Sequence, residues 1–151
     1  MAIDGQGLGN RPQYSLQRHR VSDRIELQVN LFNGNTVVVV QDLIVRGTGL
    51  HLSIGHVYNN QAPADGPQSF GRGWTATLGP DIGLDLGADA AVLRGPTGYR
   101  ETFTRDGSGF VTPPRMDADL TEQADGTYLL RFRYDQRSWV LGLVQGLVTA
   151  A

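Results

Sequence analysis

Apolar and polar residues alternate through most of the chain in short runs. From Val21 to Val148 apolar runs alternate with clusters of Gly, Asn, Asp and Pro, the punctuation of many short antiparallel strands. Ile25, Leu27, Val29 and Leu31 fall on one face, with Glu26, Gln28 and Asn30 on the other. Asn33-Gly34 follows, two residues that tolerate the positive φ of a type I′ turn. With those two as the turn, Val29 lies opposite Val38 and Leu27 opposite Val40, a matched apolar face. A one-residue slip would bury Gln28 and Asn30, so the register is specified.

Further alternation covers Leu50, Leu52 and Ile54, then 74–78, then Ile82, Leu84 and Leu86, then Tyr99, Glu101 and Phe103. Turns stand at Gly47-Thr48-Gly49, Gly95-Pro96-Thr97-Gly98, Asp106-Gly107 and Asp125-Gly126, and Pro113-Pro114 forbids a central strand. Tyr128, Leu130, Phe132 and Tyr134 share a face. Residues 116–123 suit either a helical turn or an edge strand. The reading is all-β: an antiparallel meander of about ten short strands with no convincing helix. It is open or sandwich-like, with an unpaired C-terminal edge near 127–144 through which the chain is expected to self-associate. No internal repeat of fixed period stands out.

The chain has 151 residues, room for one domain. Its thirteen cations, all Arg, against fifteen acidic residues leave a net charge of −2, which argues against a nucleic-acid partner. Cysteine is absent, so there is no disulfide, thiolate nucleophile or Cys-ligated zinc. The first ten residues lack the basic and apolar regions of a signal peptide, and no run is long enough for a spanning helix. Residues 139–151 are expected as an extra strand or a frayed tail.

The possible sites of chemistry have plain alternatives. His51 and Ser53 would point to one face, but same-strand neighbours two apart lie roughly 6.5 Å apart, too far for a nucleophile–base bond, and no Gly-x-Ser-x-Gly elbow exists. A solvated strand face is the simpler account. His56 is in phase with Leu52 and Ile54 and reads as a partly buried, hydrogen-bonded side chain. His19 lies between Arg18 and Arg20 and reads as exposed. Asp81, Asp85 and Asp89 recur every four residues, but Gly83 and Gly87 disfavour the helix that would gather them on a cation. Turn and edge carboxylates are the expectation. Arg131-Phe132-Arg133-Tyr134 mixes cations with rings, as nucleic-acid platforms do; on a strand it reads as rings inward and guanidiniums outward. Gly5-Gln6-Gly7-Leu8-Gly9 lacks the strand and helix of a phosphate cradle.

An ordered series of motifs carries more. Val29-Asn30-Leu31-Phe32-Asn33-Gly34-Asn35 is followed by Asp42-Leu43, Gly47-Thr48-Gly49-Leu50, Val57-Tyr58-Asn59 and Phe70-Gly71-Arg72-Gly73-Trp74. Then come Gly95-Pro96-Thr97-Gly98-Tyr99-Arg100, Phe103-Thr104-Arg105, Thr112-Pro113-Pro114 and Ala124-Asp125-Gly126-Thr127-Tyr128. The series resembles the domain of unknown function that precedes the repeats in RHS/YD-repeat proteins, and Tyr14-Ser15 with Ser22-Asp23-Arg24 resembles the lead-in of actinobacterial members. The resemblance covers about Tyr14 to Tyr134. Arg72 stands where family members usually have Pro. After Tyr134-Asp135 no repeat follows, so the chain is expected to be truncated before the repeats.

The resemblance implies a flexible lead-in over 1–20, a β domain over 21–135 and a divergent tail over 136–151. It implies a bacterial polymorphic-toxin context. The module would be non-enzymatic, the start or cap of a YD-repeat β shell that encloses a C-terminal toxin. Its partner would be the downstream shell, with no nucleic acid, membrane span, metal or cofactor. It implies secretion or the cell surface, and a cytoplasmic location if the chain is expressed alone. The motif residues, Trp74 foremost, are expected to be structural, with Trp74→Ala costing about 3–5 kcal/mol as loss of a core anchor. A second reading is a carbohydrate- or surface-binding β-sandwich, favoured if rings such as Tyr58, Tyr99 and Tyr134 gather outside the core. An enzyme would need His51 or His56 in a cleft beside a carboxylate.

Overall fold

The computed structural model describes residues 7–48, 51–65, 68–114, 116–144 and 147–150. Among these the fold is all-β and antiparallel, with thirteen strands in two open sheets. They form two compact units, one of residues Met1–Asp81 with Gly95–Tyr99, the other of Ile82–Arg94 with Arg100–Ala151. This division runs through the β domain drawn over 21–135.

The first unit holds a sheet in the chain order β1 (Leu16–Arg20), β2 (Ile25–Asn30), β3 (Thr36–Val45), β4 (Leu52–Asn59) and β5 (Trp74–Ala76). β1 comes from the expected lead-in and pairs with β2 from Leu16↔Asn30 to Arg20↔Glu26. The first hairpin forms, but its register differs by two residues: Leu27 lies opposite Val38 and Ile25 opposite Val40. The reason is local. Asn33 turns its Oδ1 to accept the Asn35 N–H at 2.9 Å, and only Gly34 takes positive φ, +73°. The loop therefore spans 31–34, closed by the Asn30 N–H donating to the Asn35 carbonyl at 2.9 Å, and is not a two-residue type I′ turn.

The even shift preserves which residues share a face, yet the covered face is the one that bears Gln28 and Asn30, together with Val37 and Val57. Gln28 and Asn30 are 2% and 1% exposed. Ile25, Leu27, Val29, Val38 and Val40 are only half-buried. Buried amides are tolerated where hydrogen bonds replace those lost to water. Here residues 7–11 lie against that face and present backbone groups to the asparagines.

β3 and β4 run beyond their neighbours as a two-stranded ribbon. The register slips between Gln41 and Leu43, a bulge that leaves Asp42 as the extra residue. Gly55 faces this bulge so closely that a Cβ would stand 2.3 Å from the Val40 carbonyl oxygen.

The second unit holds β6 (Gly83–Leu86), β7 (Ala90–Arg94), β8 (Arg100–Asp106), β9 (Gly109–Val111), β10 (Ala118–Glu122), β11 (Tyr128–Phe132), β12 (Ser138–Val144) and β13 (Leu147–Ala150). The sheet order is β10-β11-β12-β13-β6-β7-β8-β9. Its buried face carries an ordinary apolar core, with Leu84, Leu93, Phe103, Leu130 and Leu141 all at 0% exposure. Residues 116–123 resolve as edge strand β10, and Pro113-Pro114 lies between β9 and β10.

The unpaired C-terminal edge is narrower than the alternation placed it. β11 pairs with β10 and β12, and β12 pairs with β11 and β13. β13 in turn meets β6 at Val148↔Leu84. The tail forms a hairpin that joins the sheet, so Tyr128–Arg131 are laddered on both sides, while Ser138–Val140 meet only β11 and Gly142–Val144 only β13. The borders are β9 and β10. They approach without a ladder, joined by the Thr112 hydroxyl donating to the Ala118 carbonyl at 2.9 Å.

Asp119 on β10 accepts both ends of the Arg133 fork, the Nε bond at 2.9 Å. That bond holds the Asp119 carboxyl below its ordinary value. Its small contribution is complete above the ordinary carboxylate range and is lost as pH falls through the depressed value.

Candidate functional site

Two groups of motif residues meet in the first unit. The first is an asparagine hub under the sheet. Asn30, Asn35 and Asn59 are 1%, 0% and 1% exposed. The Asn59 Oδ1 accepts from the Gly9 N–H at 2.7 Å and from the Asn35 Nδ2 at 2.9 Å. The Asn59 Nδ2 donates to the Thr97 carbonyl at 3.0 Å. Asn30 and Asn35 both donate to the Gly7 carbonyl, at 3.1 and 3.3 Å. One side-chain amide thus ties β4 to the N-terminal segment and to the 95–99 turn.

Gly98, at φ +78°, lies under Asn59, where a Cβ would stand 2.6 Å from its Nδ2. Tyr99 lies across Gly95 and carries the Arg11 guanidinium 5.0 Å from its ring centroid. The hub is structural: amide groups matched to backbone groups, with no nucleophile among them.

The second group is a ledge of rings on the half-buried face. Phe70 stacks on His56 with centroids 4.7 Å apart. Trp74 tilts against His56 at 4.8 Å and against Tyr58 at 5.2 Å. Gly73, at φ +83°, passes beneath Tyr58, where a Cβ would stand 2.6 Å from the ring. The bulged Asp42 reaches His56, with Oδ2 2.7 Å from Nδ1. His56 is therefore the hydrogen-bonded, partly buried histidine its phase suggested. Trp74 is half-buried and is not a core anchor. Two tilted ring contacts of about 0.5–1.5 kcal/mol each put Trp74→Ala at about 2 kcal/mol, to be read from the denaturant midpoint. A loss beyond about 4 kcal/mol would restore the core assignment.

The remaining residues disperse. His51 is exposed just before β4, and the Ser53 hydroxyl accepts from Gln41 Nε2 at 3.1 Å. Of the tyrosines, Tyr58 joins the ledge, Tyr99 covers Gly95, and Tyr134 belongs to the second unit at 93% exposure. Asp85 pairs with Arg94 at 2.8 Å, and the Asp89 carbonyl accepts from the Arg105 N–H. Among the described residues no His, Cys, Asp and Glu gather in a group that could hold a metal ion. No helix among them is long and apolar enough to cross a membrane. Gly47 is exposed at the end of β3, while Gly49 and Leu50 lie outside the described residues. Gly71, at φ +96°, turns the chain into β5. Phe103 is in the second core. Asp125 accepts from the Thr127 N–H at 2.9 Å and Gly126 takes φ +81° in the β10–β11 turn.

Asp81 is more than a turn carboxylate. It is 2% exposed and accepts from the Ser69 hydroxyl and the Ala76 N–H, both at 2.7 Å. The only sequence sign of its role is the breaker Gly79-Pro80 before it, which turns the chain back on β5.

Comparison with known proteins adds relatives and a family. The chain is 31% identical over 99 residues to the tRNA nuclease WapA of Bacillus subtilis strain 168. The same identity and length hold for the tRNA3(Ser)-specific nuclease WapA of Bacillus spizizenii and the tRNA(Glu)-specific nuclease WapA of Bacillus subtilis subsp. natto. The matched section is 65% of this chain and 4% of each relative. No solved structure matches the chain. The family model of DUF6531, described as a domain of unknown function, matches residues 27–103, the stretch that supplies Asn30, Asn35, Asn59, the ring ledge and Gly98. The chain belongs to the DUF6531 family.

Proposed function

We propose that the chain is a non-enzymatic structural module, the start or cap of a YD-repeat β shell that encloses a toxin in longer proteins of this type. The observation that supports it best is the pair of open sheets. β1 and β5 border one, β9 and β10 the other, and each has a ladder partner on one side only. A free border of N–H and C=O groups is a template for another strand, as the first elements of a longer β structure require. The similarity to the tRNA nuclease WapA, of which the matched section is 4%, fits a small part of a large protein. In this reading tRNA cleavage belongs to other parts of those proteins, and the amide-to-backbone bonds of the asparagine hub hold a rigid first element.

Grafting this chain into WapA in place of the matching segment tests the role. The chimera is expected to keep the rest of WapA resistant to limited proteolysis, and deletion of the segment to expose it. Equal resistance with and without the segment would overturn the shell role. The chain alone is expected to leave tRNA intact on a denaturing gel; cleavage, abolished by His56→Ala, would overturn the non-enzymatic reading.

A further inference from the structure

We infer that the ring-bearing face of the first unit's sheet is a pairing surface for a second copy of this chain, packed sheet on sheet. The inversion of the sheet carries this. The side that bears Gln28, Asn30, Val37 and Val57 is buried, and the opposite, apolar side is left half-open. The centre of that open side is Leu27, Val29, Val38 and Val40, all half-buried. The register continues the same face into the β3–β4 ribbon through Leu43↔Ile54 and Val45↔Leu52, where Leu43, Val45 and Leu52 are 49%, 48% and 46% exposed. Apolar surface of this continuity marks an interface.

The chemistry of the face selects the occupant. At the ring ledge Asp42 and His56 are already bonded to each other, and the four central side chains are aliphatic and offer a glycan neither donor nor acceptor. Phe70 already spends one ring face on His56. Another apolar β-sheet face suits these residues, since two sheets pack at about 10 Å through interdigitated branched side chains. The centre carries no charge, so a second copy meets no like-charge repulsion there. β1 brings Gln17 and His19 to this face, so the apolar patch spans β2–β5 with the ribbon, roughly 850 Å² over two copies at about 4.8 Å between strands, the size of a weak dimer. A two-fold arrangement closes on itself and places Trp74 and Tyr58, residue types that anchor interfaces, in the same patch.

Sedimentation velocity over a concentration series tests this. A discrete dimer is expected. Leu27→Glu/Val40→Glu is expected to weaken it by about a hundredfold, because charges are forced into an apolar contact, with the circular dichroism of the folded chain retained. Leu52→Glu, at a site already about half exposed, is the second variant should the first fail to fold, and is expected to weaken the dimer by about tenfold. A strict monomer, or a dimer unchanged in the folded variants, would overturn the inference. Open-ended growth with concentration would overturn it in favour of strand addition at the borders. A monomer that binds a soluble oligosaccharide through Trp74 would overturn it in favour of a glycan.

Discussion

Asn59→Ala is expected to cost about 3–5 kcal/mol, the largest effect of any single polar change in the first unit. The amide serves three partners at once. Its loss leaves the Gly9 N–H and the Thr97 carbonyl without the bonds of 2.7 and 3.0 Å that satisfy them. It also removes the nearer of the two acceptors of the Asn35 Nδ2, leaving the Gly7 carbonyl at 3.3 Å. A buried group left unsatisfied costs about 1–3 kcal/mol, and the three share one site, so their effects couple and do not simply add. Against a total stability of about 5–15 kcal/mol, the variant stands near the edge of folding. Urea unfolding followed by Trp74 fluorescence in a Trp139→Phe background reads this unit alone. An unchanged midpoint would show that the amide holds nothing.

Phe103→Ala is expected to cost about 3–5 kcal/mol in the second unit, by lost transfer energy and the cavity left behind. Phe103 is fully buried on β8, opposite Ala91 on β7. Alanine there would face alanine, and neither side chain can fill the space. Trp139, in a Trp74→Phe background, is the probe. A midpoint within about 1 kcal/mol of the parent would mean that the surrounding leucines collapse into the gap.

Much of the strand content was legible because alternation is a local property. The strands around Leu27, Ile54, Phe103 and Leu130 stand close to where the period of two placed them, and the Asp125-Gly126 turn joins β10 to β11. Three features were not legible, each for a non-local reason. Alternation shows which residues share a face but not which face is covered. Asn30 is buried because residues 7–11 supply the carbonyl it needs, 23 positions earlier in the chain. The hairpin register depended on whether Asn33 would take positive φ or bond its own backbone, and both suit asparagine. The place of the tail depended on β13 finding β6, more than fifty residues earlier in the sequence.

The candidate site was legible only in part. The motif series marks Asn30, Asn35, Asp42, Asn59, Tyr58, Phe70 and Trp74 without saying that the asparagines converge beneath the sheet and the rings above it. Gly9 and Asp81 carry as much of the geometry. Their signals are weak, because a glycine in a polar lead-in and an aspartate after a breaker each have many ordinary uses.

The first unit is not continuous in the chain: it closes with Gly95–Tyr99, after β6 and β7 of the second unit. On the ribosome, Asn59 emerges well before Thr97, so its amide waits for the carbonyl it will hold. The bond from Asn59 to Thr97 cannot form until β6 and β7 have been synthesised. During translation the two halves are therefore interleaved in time, and a pause between codons 81 and 95 would prolong the exposure of an unfinished amide cluster to chaperones and proteases.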